Sequence, residues 1–493
     1  MTWIFRWGIS RELCGRFFKL SAYNILSNLM VPLAGLLDVA FLGHLPEIEP
    51  LAGVALATVI FNFIYWSFGF LRMSTTGLVA QATGQGHGDE AWRIGLRAMT
   101  LGLGIGLLLL LLHHPLREVG FALLEGTDTV KAAGRAYFNG RILGAPAYLL
   151  SLAMLGWLLG KERGGAVLTL SVVGNGGNVL LNYIGVVLLG WGSWGAGLAT
   201  AGSEYLMVLT GLVCLVWAPE EGTLWQRVRR LWGSLRVWRT LWQGADLRVL
   251  FSLNGDIWVR TFALVLSFAL FTQFSAGMGT AILAANTVLL QVLSLAAYVV
   301  DGFAFATESL AGFFYGRKQG EAGEGAVQQL WGVLGLATGL SLLVGVAIAL
   351  GFVGFPGRLF GLLTSQGVVL GQIERFVAWL IPVLGLGSLA FVLDGYFLGL
   401  TEGVTLRWAS LFSTTVGFLP VGLWAWARQD PQLLWLAMAA FMAARVISLG
   451  SQVPRTLKSS SGRPGGLSSS GRPGGLSSST EKTDDDAPLA KPK

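Results

Sequence analysis

Apolar residues run along this chain in blocks separated by short polar turns, and each block is near the ~20 residues a helix needs to cross a hydrocarbon core. Twelve blocks stand out, at 17–42, 51–80, 92–113, 134–159, 165–189, 194–218, 249–273, 280–313, 328–353, 376–400, 405–427 and 432–453. The second and eighth are long, and their interior glycines allow a bend. Two stretches break the pattern. From 222 to 244, "GTLWQRVRRLWGSLRVWRTLWQG" sets Leu224, Val228, Leu231, Leu235, Trp238 and Leu241 at helical spacing, with Arg227, Arg230 and Arg236 facing elsewhere. Trp225, Trp232 and Trp242 suit the headgroup level, so an amphipathic helix lying on the membrane surface is expected. From 459 onward "SSSGRPGGL" occurs twice in tandem. Such a stretch cannot bury enough apolar surface to fold, and a disordered tail over 455–493 is expected.

Composition agrees with the pattern. The chain is 53% hydrophobic and 12% charged, whereas a soluble domain carries about 25% charged residues. The fold class that follows is an all-α polytopic membrane protein of twelve transmembrane helices. The net charge of +7 sits largely in one connector and the tail, where an anionic membrane surface is the natural partner. No basic soluble domain exists to bind nucleic acid. Cys14 and Cys214 lack metal-site spacing, and His44, His87, His113 and His114 fall at helix ends rather than in a zinc-binding order, so no cofactor or metal is expected. "GQGHG" at 84–88 lacks the Lys-Ser/Thr of a phosphate loop and reads as a turn. No nucleophile–base constellation suggests an enzyme, and the first twenty residues show no removable signal.

The two halves resemble each other. "GWLLGKERG" at 156–164 matches "GYFLGLTEG" at 395–403 in Gly156/Gly395, Leu159/Leu398, Gly160/Gly399 and Gly164/Gly403, an offset of 239. At an offset of 232, Leu51-Ala52 meets Leu283-Ala284, Thr75 meets Thr307, and Gly84 meets Gly316. Two pseudo-symmetric six-helix bundles are therefore expected, over 1–218 and 249–454, joined by a connector at 219–248. A binding cavity between such halves is a transporter layout.

The segments "VPLAGLLDVAFLGHL", "FLRMSTTGLVAQATG", "GWGSWGAGLATAGSEY", "NGDIWVRT", "LAANTVLLQVLSLAAYVVDGFAFATESLAGFFYG" and "LDGYFLGLTEG" together resemble the multidrug and toxic compound extrusion (MATE) family, in its DinF-type branch. The resemblance covers about residues 15–450. It implies cation-driven export of bulky, often cationic or amphipathic organic compounds; a monomer in the inner (plasma) membrane is expected.

Charges inside the spans are the candidate machinery, because each is costly in hydrocarbon. Asp38 lies mid-span, with Pro32 and Gly35 near enough to let the backbone bend. The resemblance places the family's helix-1 aspartate on Asp38 and its polar partners on Asn178, Asn182 and Thr200. Asn178 and Asn182 share a helix face. Relatives often carry aspartate where this chain has Asn182. One carboxylate suits a proton better than sodium, which needs several oxygen ligands, so proton coupling is expected with sodium as the alternative.

Arg72 either pairs with an acid or faces the cytoplasmic cavity. Asp256 and Arg260, spaced i, i+4, are expected to pair along one helix. Asp301 is read as neutralising an arginine, Glu308 as solvated near the cytoplasm, and Asp394 as a further intramembrane acid. Glu204 has no assigned role. Asn62, Tyr65, Trp66, Gln291 and Tyr298 are candidate cavity walls. A lipid-linked oligosaccharide flippase of the same superfamily is the rival reading. It requires a strongly cationic cavity, for which Arg72 and Arg260 are the available bases.

Lys and Arg crowd the connections on the N-terminal side, while the opposite side holds Arg117, Lys131, Arg135, Arg141, Arg358, Arg375 and Arg428. The positive-inside rule then puts both termini in the cytoplasm. Fused after Lys493 in bacterial cells, a fluorescent protein should mature and alkaline phosphatase should stay inactive. The reverse pattern would overturn the orientation.

Overall fold

The structure, a computed structural model, describes residues 10–216, 244–319, 323–364 and 366–457. The surface helix expected at 222–244 and the tail beyond 457 fall outside the described residues, apart from the beginning of one helix at Gly244. Among the described residues twelve helices are long and apolar enough to span a membrane. They are α1 (Arg11–Gly43), α2 (Glu49–Gly84), α3 (Gly88–Leu111), α4 (Asp128–Gly160), α5 (Gly164–Leu188) and α6 (Gly192–Leu215) in the N-terminal half. The other half holds α7 (Ser252–Gly277), α8 (Thr280–Gln319), α9 (Gly325–Gly354), α10 (Gly367–Gly399), α11 (Gly403–Arg428) and α12 (Pro431–Leu457).

Their ends follow local rules. The Ser10 hydroxyl caps α1 by accepting from the Leu13 amide at 3.1 Å, and Asp430, followed by Pro431, caps α12 through the Gln432 amide at 2.8 Å. Of the two long helices, α2 breaks at Ser67–Gly69 into two segments. In contrast, α8 stays a single helix of 40 residues. Pro32 lies inside α1 without interrupting it. It cannot donate to the carbonyl of Asn28, which leaves a weak point in the helix ladder.

The repeat seen in the sequence is a repeat of packing. In one half α4 crosses α2 so closely that a Cβ on Gly156 would lie 2.5 Å from the Arg72 carbonyl, and one on Gly160 would lie 2.8 Å from that of Thr76. In the other half a Cβ on Gly395 would clash with the Ala304 carbonyl, and one on Gly399 with that of Glu308. Helix four advances by 239 residues and its partner by 232, the two offsets read from the sequence. The turn after each of these helices has one left-handed non-glycine residue, Glu162 (φ 56°) and Thr401 (φ 57°), again 239 apart.

The same correspondence governs the contact between the lobes. A Cβ on Gly84 would clash with the Phe313 carbonyl, and one on Gly316 with that of Gln81. A Cβ on Gly77 would clash with the Leu398 carbonyl, and its counterpart Ser309 donates to the carbonyl of Leu159. Gln81 adds Nε2 bonds to the Gly399 carbonyl (2.9 Å) and to Thr401 Oγ1 (3.1 Å), and Gln85 donates to Gln319 at 2.8 Å.

At the same end Arg16 holds Glu162 through Nε at 3.0 Å and Nη2 at 2.5 Å. Its guanidinium also covers Phe313 of the other lobe at 4.8 Å. These contacts all lie toward the end where α1 begins and α2 and α8 finish. Among the described residues no hydrogen bond joins the lobes at the opposite end, where Asn62, Phe63 and Trp66 of α2 and Gln291 and Leu295 of α8 are exposed. The lobes are closed at the N-terminal end and part toward the other.

A side chain at Gly316 would hold the closed end open, since overpacking a tight contact costs about 1–3 kcal/mol. Gly316→Leu should therefore raise maleimide labelling of Ser309→Cys, a position 1% exposed here, by roughly fivefold or more. Unchanged labelling would mean that this contact does not govern closure.

Candidate functional site

Asp38 sits in the second half of α1, past Pro32 and half-buried. The network expected around it is present. Asn182 Nδ2 donates to Asp38 Oδ1 at 2.7 Å and to Asn178 Oδ1 at 3.3 Å. Asn178 Nδ2 reaches Thr200 Oγ1 at 3.4 Å, and that hydroxyl donates to the Ala196 carbonyl at 3.1 Å. The acid thus heads a line of neutral groups crossing from α1 through α5 to α6. Directly after Asn182 the backbone widens into a π-helical turn, Tyr183–Leu188. The equivalent helix of the other half does the same at Ser413–Phe418. Such turns frequently occur at functional sites.

Sequence reasoning assigned Arg141 to an outward connection, yet it lies within α4 beside this network. Its guanidinium packs against Phe61 at 4.5 Å, Tyr65 at 5.6 Å and Tyr137 at 5.7 Å. Nη1 donates to the Tyr137 hydroxyl at 3.1 Å, and the buried Nε has no hydrogen-bond partner among the described residues. Asp38 and Glu204 both lie within its electrostatic reach, although no ion pair joins either to it among the described residues. Glu204, unassigned by sequence, stands beside Ser151 on this side of the N-terminal lobe. A lone arginine inside an apolar span was the available signal, since an intramembrane base is functional by default.

The remaining charges pair differently from their spacing. Asp256 does not bond Arg260 one turn along its helix; it accepts from Arg407 on α11. Arg260 instead reaches Asp394 on α10, whose Oδ2 also accepts from Arg445 on α12. Side chains four apart on a helix share a face, but whichever helix packs on that face decides who pairs. Here α7 turns Asp256 to α11 and Arg260 to α10. Asp394 is 3% exposed and Arg445 1%, so one carboxylate serves two buried guanidinium groups. Asp301 makes no ion pair among the described residues, but the field of Arg72, Arg260 and Arg445 reaches it. Three bases and three acids, Asp301, Glu308 and Asp394, balance there.

Glu308 is not solvated as its position suggested. It is fully buried and accepts from Arg72 Nη1 at 3.3 Å, while the Arg72 guanidinium covers Phe305 at 4.0 Å. This pair joins α2 to α8 and is therefore part of the closure between lobes.

The candidate cavity walls divide. Tyr65 is buried and stacks on Tyr148 with ring centroids 4.1 Å apart. Asn62 and Gln291 are exposed on the open side. The Tyr298 backbone carbonyl accepts from Asn28 Nδ2 at 3.2 Å, bridging α8 to α1. Trp66 shares a small space of about 40 Å³ with Trp258 and Phe262 of the other lobe.

Two repeated lobes closed at one end, with an acid held in a polar network inside one of them, define the layout of a secondary transporter. The MatE family model matches residues 24–184 and 257–423. The chain belongs to that family of multidrug efflux transporters, and it is a transporter rather than an enzyme. It is 34% identical over 429 residues to DNA damage-inducible protein F of Escherichia coli (strain K12), covering 87% of this chain and 89% of that protein. To a probable multidrug resistance protein NorM of Synechococcus sp. (strain ATCC 27144 / PCC 6301 / SAUG 1402/1) it is 27% identical over 438 residues, covering 85% and 88%. A solved structure described as the outward-facing conformation of a multidrug resistance MATE family transporter of the MOP superfamily superposes with a TM-score of 0.77. The identity is 19%, and the match covers 90% of this chain and 96% of that one.

Removing one member of a buried ion pair leaves an uncompensated charge, which costs about 3–5 kcal/mol. Arg72→Met should therefore lower thermal stability in detergent markedly. Arg72→Met combined with Glu308→Leu should recover most of the loss, and a double-mutant cycle that shows plain additivity would refute the coupling.

Proposed function

We propose that this protein exchanges protons for small organic compounds, bulky and cationic or amphipathic, through alternating access of its two lobes. The observation that carries the reading is the Asn182–Asp38 hydrogen bond of 2.7 Å. It places one carboxylate at the head of a line of neutral groups, with an amide N–H turned toward it. An amide donor facing the acid favours a proton site over a sodium site, where oxygen atoms would converge.

The ionised Asp38 accepts the Asn182 bond and feels the positive charge of Arg141. Protonation weakens both attractions at once. The part of α1 beyond Pro32 is then free to move relative to the part before it, which Asn28 ties to α8. Release of the proton restores the attraction, so the position of α1 and the shape of the N-terminal cavity follow the charge on Asp38. Arg141, enclosed by aromatic rings and flanked by Asp38 and Glu204, is the fixed base against which that charge is read. The flippase reading fares worse, because Arg72 is committed to Glu308 and Arg260 to Asp394. Neither is left for a pyrophosphate. The same reading has the protein working as a monomer in the plasma membrane with both termini in the cytoplasm.

The test is substrate-induced proton movement in proteoliposomes at matched reconstitution. Asp38→Asn keeps the side-chain shape but cannot titrate, so the variant should fold, bind a cationic dye and show no proton flux. Wild-type flux in Asp38→Asn would sink the proposal. Flux in the wild type that vanishes only when sodium is withdrawn would reassign the coupling ion.

A further inference from the structure

Away from the interface between the lobes, α11 and α12 diverge on the outer surface of the C-terminal lobe and leave a groove of about 530 Å³. Its walls are Val404, Trp408 and Phe412 of α11 and Ile447 of α12, large apolar side chains between 45% and 68% exposed. Along α11 the groove follows the segment Gly403–Phe412, whose length at ~1.5 Å per residue is about 15 Å. That is half of a ~30 Å hydrocarbon core, or one leaflet.

The polar end of the groove lies at the closed end of the molecule. There Arg455 Nη2 donates to Glu402 Oε2 at 3.4 Å, and Thr405 donates to the same oxygen at 3.1 Å. Glu402 Oε1 accepts no hydrogen bond from the described residues. Nor do the remaining N–H groups of Arg455, whose side chain is 64% exposed, find a partner among them. The mouth therefore sets an ion pair at the rim, with further N–H groups of Arg455 and the second oxygen of Glu402 side by side. It leads into an apolar trough one leaflet deep.

We propose that this groove is a binding site for a phospholipid whose headgroup carries both a phosphate and a primary ammonium. One acyl chain lies along Trp408, Phe412 and Ile447, the phosphate accepts from Arg455, and the ammonium donates to Glu402. Each charge of the mouth then meets its opposite, and charge-assisted hydrogen bonds of this kind are the stronger class. A choline headgroup carries the same charges but has no N–H to donate to Glu402. A glycerol headgroup brings the phosphate without a cation and sets it beside the carboxylate. The acid next to the base is thus the element that discriminates among lipids.

Native mass spectrometry of the purified full chain, delipidated and then mixed with equal amounts of phosphatidylethanolamine, phosphatidylcholine and phosphatidylglycerol, tests the assignment. Phosphatidylethanolamine should be retained at least about threefold over the other two, in keeping with one added charge-assisted bond. Glu402→Gln, which keeps the shape of this half-buried side chain but removes its charge, should erase that preference. Ser448→Phe, which fills the trough, should reduce retention of all three. Equal retention by the wild type, a preference for phosphatidylglycerol, or a preference that survives Glu402→Gln would each overturn the proposal.

Discussion

A charge placed among membrane helices has to find an opposite charge or a line of hydrogen-bonding groups, because hydrocarbon offers neither. That requirement organises this molecule. In the C-terminal lobe it draws α7, α10 and α12 together around Asp394, which holds Arg260 and Arg445 at once. Between the lobes it sets Arg72 on Glu308. In the N-terminal lobe it is met differently, by neutral amides on one side of Asp38 and by an aromatic-enclosed arginine within its field. Bidentate or doubly shared pairs resist change of protonation. An acid held by neutral donors can lose or gain a proton without leaving a second charge stranded. The contrast is between a lobe whose buried Asp394 is paired with two bases and one whose Asp38 is held by neutral groups.

The interface that closes one end of the transporter rests on backbone rather than on side chains. Gly84 and Gly316 let α2 and α8 approach until carbonyls touch the places where a Cβ would stand, and Gln81 then bonds across the gap. Contacts of small residues give close packing where no hydrophobic driving force separates protein from lipid. Because the two contacts are related by the internal repeat, one sequence solution serves both sides of the closure. The Arg72–Glu308 pair breaks that symmetry: its counterparts by the same offset are Ala304 and Thr76. A conformational change that opens this end must therefore separate a buried ion pair as well as unpack glycines.

Much of this was legible in the sequence because it depends on local rules. Span length is set by the bilayer, so twelve apolar blocks correspond to twelve helices among the described residues, with ends shifted by at most nine residues. The repeat offsets of 239 and 232 predicted which glycines correspond, and the same residues pack in both lobes. Asp38, Asn178, Asn182 and Thr200 come together as their placement by family resemblance implied. Partner choice was not legible. The helical spacing of Asp256 and Arg260 satisfies a pairing rule that holds for an isolated helix, and the fold sends them to Arg407 and Asp394 instead. Glu308, near the end of a long helix, looked solvated, but α2 of the other lobe covers it. Arg141 looked like part of a loop charge and lies inside α4 near Asp38. Sequence determined which segments cross the membrane, how they repeat, and where charge enters hydrocarbon. Only the tertiary structure decided which charge meets which, because long-range pairing depends on the faces that packed helices turn toward one another, and no spacing along a single helix encodes that.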